Sequence, residues 1–128
     1  MFIIKQNSKD PIFEQICSQM KHFISIGVME KGEKLPSVRS LAEELGINPN
    51  TVVKAYSYLE NEGVIISSYK RGYFVSEKDV EDEWKQKELK LFKDQIMKLK
   101  ALSVKKNELE KIILNVYDEG GIKHAENK

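Results

Sequence analysis

The chain has 128 residues, 41% hydrophobic and 32% charged, enough for one ordinary domain or for a compact domain with a helical appendage. No apolar run approaches the roughly 18 to 20 residues of a membrane span, and "MFIIKQNSKDP" lacks the basic start and long apolar core of a signal peptide, so a cytoplasmic protein without a membrane partner is expected. The formal net charge is +1, with 9 Lys+Arg against 8 Asp+Glu in residues 1–76, so only a local basic cluster, not bulk charge, could meet an anionic partner.

The first predicted helix starts at Asp10-Pro11, with Asp10 as cap and Pro11 at the first helical position, where a missing N–H costs nothing. Ile12, Ile16, Met20, Phe23 and Ile24 then recur at helical spacing as a buried stripe. Cys17 lies beside that stripe and reads as a small filler. As the single cysteine, it rules out an internal disulfide framework and suits a reducing compartment. Gly27 weakens this helix, and "EKGEKLP" ends it in a turn.

A short second helix begins near Ser37, with Val38, Leu41, Ala42 and Leu45 inward, and Gly46 fits the left-handed position that stops it. Asn48 is a good cap and Pro49 a good first residue, so a third helix starts at once. Two helices joined by so short a link cross steeply, as in a helix-turn-helix. In the third helix Val52, Ala55, Tyr56 and Leu59 face the core, while Asn50, Lys54, Ser57 and Asn61 fall within about 40° of the opposite pole. Thr51 and Tyr58 flank that outer face, and Gly63 closes the helix. "VIISSYKRGYFV" then reads as two β-prone runs around a turn with Lys70, Arg71 and Gly72, a hairpin with a basic tip. The order is that of a winged helix.

The outer face of the third helix carries chemistry suited to a duplex. Asparagine offers a paired donor and acceptor to an adenine edge, and lysine reaches a guanine edge or a phosphate. No acid lies between Asn48 and Tyr58. Asn48 and Asn50 also sit at a helix N-terminus, where free amides and the dipole favour a phosphate. The structural alternatives are that Asn48 only caps, Lys54 only solvates, and Arg39 only pairs with Glu43 one turn on. Arg39, Lys54 and the Lys70–Arg71 tip would place three basic points on one side of a small domain.

The residues also resemble a known family. "PIFEQI", "GEKLPSVRSLAEELGINPNTVVKAYSYLENEGVI" and "RGYFV" are similar to the DNA-binding domain of GntR-type bacterial transcription regulators over residues 11–76. The resemblance implies a winged helix-turn-helix dimer reading a palindromic double-stranded DNA operator. It implies DNA contact from Arg39, a recognition helix beginning at Asn48, Asn50 and Thr51, and a wing glycine at Gly72. With Ser37 of the matched motif and with Lys54, Tyr58, Lys70 and Arg71 from the surface reading, these are the candidate DNA-binding residues. Three positions depart from the family pattern: Pro49 stands where many relatives have a basic residue, Val53 where arginine is frequent, and Lys70 where the wing carries its first glycine.

After residue 76 the composition changes, with no Gly or Pro until Gly120, so 1–76 and 77–128 are expected to be a DNA-binding domain and a helical dimerisation region. Val80, Trp84, Leu91, Phe92, Ile96, Leu99 and Leu102 cover a broader arc than one packed seam needs. "LSVKKNE" suggests a break. Leu109, Ile112, Ile113 and Val116 form a second stripe, Gly120-Gly121 is the expected end, and "IKHAENK" is expected to fray. A monomeric helical hairpin is the alternative to a dimer. The short tail resembles that of the YtrA subfamily, whose paired helices dimerise and whose members commonly regulate ABC-transporter operons.

His22, His124 and Cys17 are too scattered for a zinc site, and no phosphate-binding glycine loop occurs, so no cofactor and no enzyme is expected. The acidic run Asp79, Glu81, Asp82 and Glu83 reads as a solvated helix start. No effector pocket is legible. The fold expectation is mainly α with a small β-hairpin, and the function expectation is a DNA-binding repressor. The competing reading is a winged helix used as a protein-interaction module.

Overall fold

The computed structural model describes residues 1–79 and 81–125, and the side chains of these except at 81 and 120–125. Val80, assigned above to the apolar arc of the tail, lies outside the described residues. The elements are α1 (Ile12–Ser25), α2 (Val38–Leu45), α3 (Pro49–Asn61), β1 (Ile65–Ser68), β2 (Gly72–Val75), α4 (Glu81–Ala101) and α5 (Lys106–Ala125). The chain divides into two compact units, Met1–Trp84 and Lys85–Lys128.

The first unit is built on the apolar stripes. Ile16 and Met20 of α1, Leu41 of α2, and Val52, Ala55, Tyr56 and Leu59 of α3 are completely buried. Val64, Ile65 and Val75 of the hairpin complete the same cluster. Each large aliphatic side chain so buried contributes about 1.5–3 kcal/mol against the entropy of ordering the chain. Cys17 is half-buried and gives its thiol hydrogen to the Ala55 carbonyl at 3.4 Å. Burial raises its pKa to about 11, so it behaves as the filler expected of it.

The start of α1 differs from expectation. Pro11, not Asp10, occupies the N-cap position, and no side chain caps the helix. The reason lies one turn on: Gln15 Nε2 reaches back to the Asp10 carbonyl at 2.9 Å and holds that residue outside the helix. Gln15 and Gln19 also pin the N-terminal segment. Gln15 pairs with both N–H and C=O of Lys5, and Gln19 with both groups of Ile3, at 2.6–2.9 Å. Two amide side chains one helical turn apart thereby stand in for a neighbouring strand, and Phe2 is buried edge-on to Phe23.

The link between α2 and α3 forms as its residues dictate. Ser37 caps α2 through a hydrogen bond from Ser40 N to its Oγ, and Gly46 takes φ +66° in the left-handed region. Asn48 caps α3 by accepting from Asn50 N at 2.8 Å, with Pro49 in the first turn. Gly63, at φ +76°, follows the end of α3.

β1 and β2 pair antiparallel in the register Ile65↔Val75 through Ser68↔Gly72. A feature absent from the sequence reading joins them. Lys34 bridges Phe74, Leu35 N donates to the Tyr73 carbonyl at 2.8 Å, and Val75 N donates to the Glu33 carbonyl at 2.8 Å. The segment entering α2 is therefore a partial third strand on β2. Tyr56 locks this junction: its hydroxyl donates to the Pro36 carbonyl at 2.8 Å and its ring meets Tyr73 edge-on. Burial pushes its phenol far above the ordinary range, so the proton stays in place to donate.

In the second unit, α4 ends in a left-handed turn. Ser103 has φ +66° and Val104 N bonds back to the Leu99 carbonyl at 3.0 Å. Glu108 Oε1 accepts from Lys105 N to start α5. The break therefore falls within "LSVKKNE". The far end differs from expectation, because α5 continues through Gly120-Gly121 to Ala125. Glycine costs about 1 kcal/mol in a helix interior but does not forbid helical backbone. Residues 126–128 of "IKHAENK" lie outside the described set.

Candidate nucleic-acid interface

The two helix caps give donors as well as stability. Ser37 Oγ accepts from Ser40 N, yet its own O–H remains available to donate. Asn48 uses Oδ1 on Asn50 N, which leaves its Nδ2 hydrogens. The same bonds alter the expectation of a free anion-binding helix start. Asn48 Oδ1 takes the Asn50 amide, the Asn48 carbonyl takes the Thr51 amide at 3.0 Å, and Pro49 has none. The N-terminus of α3 thus presents side-chain amides rather than backbone ones.

Asn50, Lys54, Ser57, Tyr58 and Asn61 are exposed on α3, opposite its buried stripe, and Thr51 is half-buried beside them. Val53 is also exposed. Among the described residues no carboxylate pairs with Lys54 or Arg39, so the expected alternative of an Arg39–Glu43 bridge is not formed. Lys54 instead rests on an aromatic ring: its Nζ lies 4.1 Å from the centroid of Phe13. Tyr58 packs on the same ring at 5.1 Å. Phe13 was missed because it stands one residue off the apolar stripe of α1, and the only sequence signal was its position two residues after Pro11.

The hairpin tip is both basic and aromatic. Lys70 adopts φ +61°, a conformation that costs an L-residue about 1–2 kcal/mol, and Gly72 sits at φ +104°. Lys70 Nζ lies 5.3 Å from the Tyr69 ring and the Arg71 guanidinium 5.9 Å from Phe74. Tyr69, 86% exposed, is a second residue the sequence reading passed over. Ser67 ties the wing to α3 through Glu60 Oε2 at 2.7 Å. That bond, with the Tyr56–Pro36 junction, links the segment before α2, α3 and the hairpin to one another.

Residues 12–75 match the family described as "Bacterial regulatory proteins, gntR family". The chain belongs to that family. It is 51% identical over 77 residues to the HTH-type transcriptional repressor YtrA of Bacillus subtilis, a match covering 60% of this chain and 59% of that protein's length. It is 34% identical over 118 residues to the HTH-type transcriptional regulator YhcF of the same organism, covering 91% of this chain and 96% of YhcF. The solved structure of YtrA from Sulfolobus acidocaldarius, a GntR-family transcription factor, superposes with a TM-score of 0.58 at 37% identity, over 91% of this chain and 97% of that one. Membership of this family of regulatory proteins bears out the mainly helical winged-helix fold and the reading of a regulator rather than an enzyme.

The residues expected at a dimer seam fall in two groups. Trp84 belongs to the first unit, half-buried against the core cluster and 5.7 Å from Lys21 Nζ, which also pairs with Glu62. Ile96, Leu99 and Leu109, beside the α4–α5 turn, are half-buried. Leu91, Phe92, Ile113 and Val116 are exposed, as are Leu102, Ile112, Leu114 and Tyr117, with Phe92 at 50% and Tyr117 at 77%. No helix of the described residues is long and apolar enough to cross a membrane.

Proposed function

We propose that the chain is a transcription repressor that reads a palindromic DNA operator as a homodimer. One observation carries the reading: the outer face of α3 is an exposed row of amides and hydroxyls around an unneutralised Lys54, on the same rigid head as Arg39 and the Lys70–Arg71 tip. A core or a protein partner has little use for such a row, whereas a major groove about 12 Å wide meets it with base edges and phosphates. Asn50 would read bases and Lys54 would reach a guanine edge or an adjoining phosphate, with Thr51 and Tyr58 beside them. Ser37, Arg39, Asn48, Lys70 and Arg71 would hold phosphates, and Gly72 would let the wing backbone approach.

The dimer reading is supported by the tail. Large apolar side chains on both α4 and α5 stand exposed in the single chain, and exposed apolar faces of this kind favour burial against a partner. A second copy meeting these faces would pair two heads, as two-fold dimers that read half-sites about 34 Å apart require. Similarity to proteins named as repressors supports the sign of regulation, and resemblance to the YtrA group extends the proposal to an operon encoding an ABC transporter.

Selecting bound duplexes from a random pool tests the proposal directly. A palindrome with half-sites one turn apart is the expected result. Arg39→Ala and Lys54→Ala should each weaken binding and reduce the slope of log affinity against log salt, by about two per dimer where each copy gives up one phosphate. Enrichment of no sequence, with a duplex affinity of the parent protein that is insensitive to salt, would favour a protein-interaction module instead.

A further inference from the structure

We infer that Phe13 is a positioning residue for DNA reading, acting through Lys54. The inference rests on Lys54 contacting DNA as proposed above. Phe13 lies in the first turn of α1, half-buried against the core cluster that Ile16 and Met20 of the same helix fill. Its ring is engaged by two neighbours one turn apart on the outer side of α3: the Lys54 ammonium at 4.1 Å and the tilted Tyr58 ring at 5.1 Å. It also lines, with Pro11, Ile12, Asn48, Asn50 and Thr51, the shallow groove where α1 and α3 begin together.

The physical advantage of a ring over a carboxylate is that it orients without neutralising. A glutamate beside Lys54 would fix the ammonium but cancel its charge and compete with a phosphate for it. The negative face of an aromatic ring attracts the cation while leaving its full charge and its three donors to an incoming partner. A free lysine loses much rotamer freedom on docking, and holding it beforehand reduces that loss. Tyr58 packs on the same ring at 5.1 Å, so Phe13 is held between α1 and a second side chain of α3. Phe13 thus couples the position of α1 to the aim of a side chain on the reading helix.

The test is a double-mutant cycle on a duplex enriched from the random pool. Phe13→Leu keeps an apolar side chain and should weaken binding about two- to tenfold, the range expected for losing one prearranged long side chain per head. Phe13→Tyr keeps the ring and should bind within about twofold of the parent. In a Lys54→Ala background, Phe13→Leu should change nothing further. In the free protein, the ring should shift the Lys54 ε-methylene protons upfield in the NMR spectrum, and Phe13→Leu should restore ordinary values. Should Phe13→Leu melt near the assay temperature, Phe13→Met replaces it in the cycle.

Equal weakening by Phe13→Leu with and without Lys54 would overturn the inference, as would ordinary ε-methylene shifts in the parent. Weakening by Lys54→Ala without any effect of Phe13→Leu would overturn it while leaving the DNA reading intact. Parent-like binding by Lys54→Ala would remove the DNA contact on which both stand.

Discussion

Replacing Gly46 by alanine isolates the energetics of the helix-turn-helix link. Gly46 has φ +66°, and a Cβ built there meets nothing within 4 Å, so the substitution adds backbone strain without a clash. An L-residue in that region costs about 1–2 kcal/mol. Alanine recovers about 0.4–1 kcal/mol by restricting the unfolded chain. The net loss is about 1 kcal/mol, which lowers the melting temperature of a domain this size by about 4–8 °C. Gly27→Ala is the control. Gly27 has φ +81° and equally open surroundings, but lies after α1 and away from the link, so its loss should match. Gly46→Asn should lose less than Gly46→Ala, because asparagine tolerates the left-handed region. Trp84, the single tryptophan, is half-buried in the first unit and reports its denaturant unfolding by fluorescence. A Gly46→Ala protein as stable as the parent, or less loss with alanine than with asparagine, would refute the strain argument.

Lys70→Gly should separate stability from function: relief of the left-handed lysine at φ +61°, less the entropy of a new glycine, leaves a gain of about 0.5 kcal/mol in denaturant unfolding. The same variant should bind its operator more weakly with a flatter salt dependence, and unchanged affinity would remove the wing tip from the interface. In the tail, Phe92→Glu and Ile113→Glu each introduce a charge on an exposed apolar face and should convert dimer to monomer by sedimentation with no loss of helical signal. A dimer that persists in both would place the seam elsewhere. Cys17 should alkylate far more slowly in the native protein than in denaturant at pH 8, since burial keeps its thiol protonated. Because its folded pKa lies above the unfolded value, its share of stability is intact below pH 9 and lost as pH rises toward about 11; a rise in stability over that interval would contradict the assignment.

The features that sequence alone determined are those whose physics is local. Ser37 and Asn48 announce helix starts because each side chain caps an amide two or three residues away. Gly46 announces a stop through its own φ. Val52, Ala55, Tyr56 and Leu59 announce a buried face because a helix repeats every 3.6 residues. The outer face of α3 follows by elimination from the same periodicity, and the basic hairpin tip from two β-prone runs around a turn.

Where local rules competed, they misled. Asp10 was displaced from its capping role by Gln15, whose side chain bonds the Asp10 carbonyl. Gly120-Gly121 did not end α5, because a propensity of about 1 kcal/mol can be outweighed by the rest of a helix.

The remainder was decided only when distant elements met. Lys34 pairs with Phe74 across some forty positions of chain, and no pattern around "EKGEKLP" distinguishes a turn from that partial strand. Phe13 reaches Lys54 and Tyr58 only because α1 packs along α3. Exposure is likewise a tertiary property. The sequence shows that the apolar arc of α4 is wider than one seam needs, but only the structure tells which apolar side chains of α4 and α5, among them Phe92 and Tyr117, stand exposed in the single chain. Caps and periodicity act within a turn or two of backbone, whereas the aim of a reading side chain depends on what packs beside it from elsewhere in the chain.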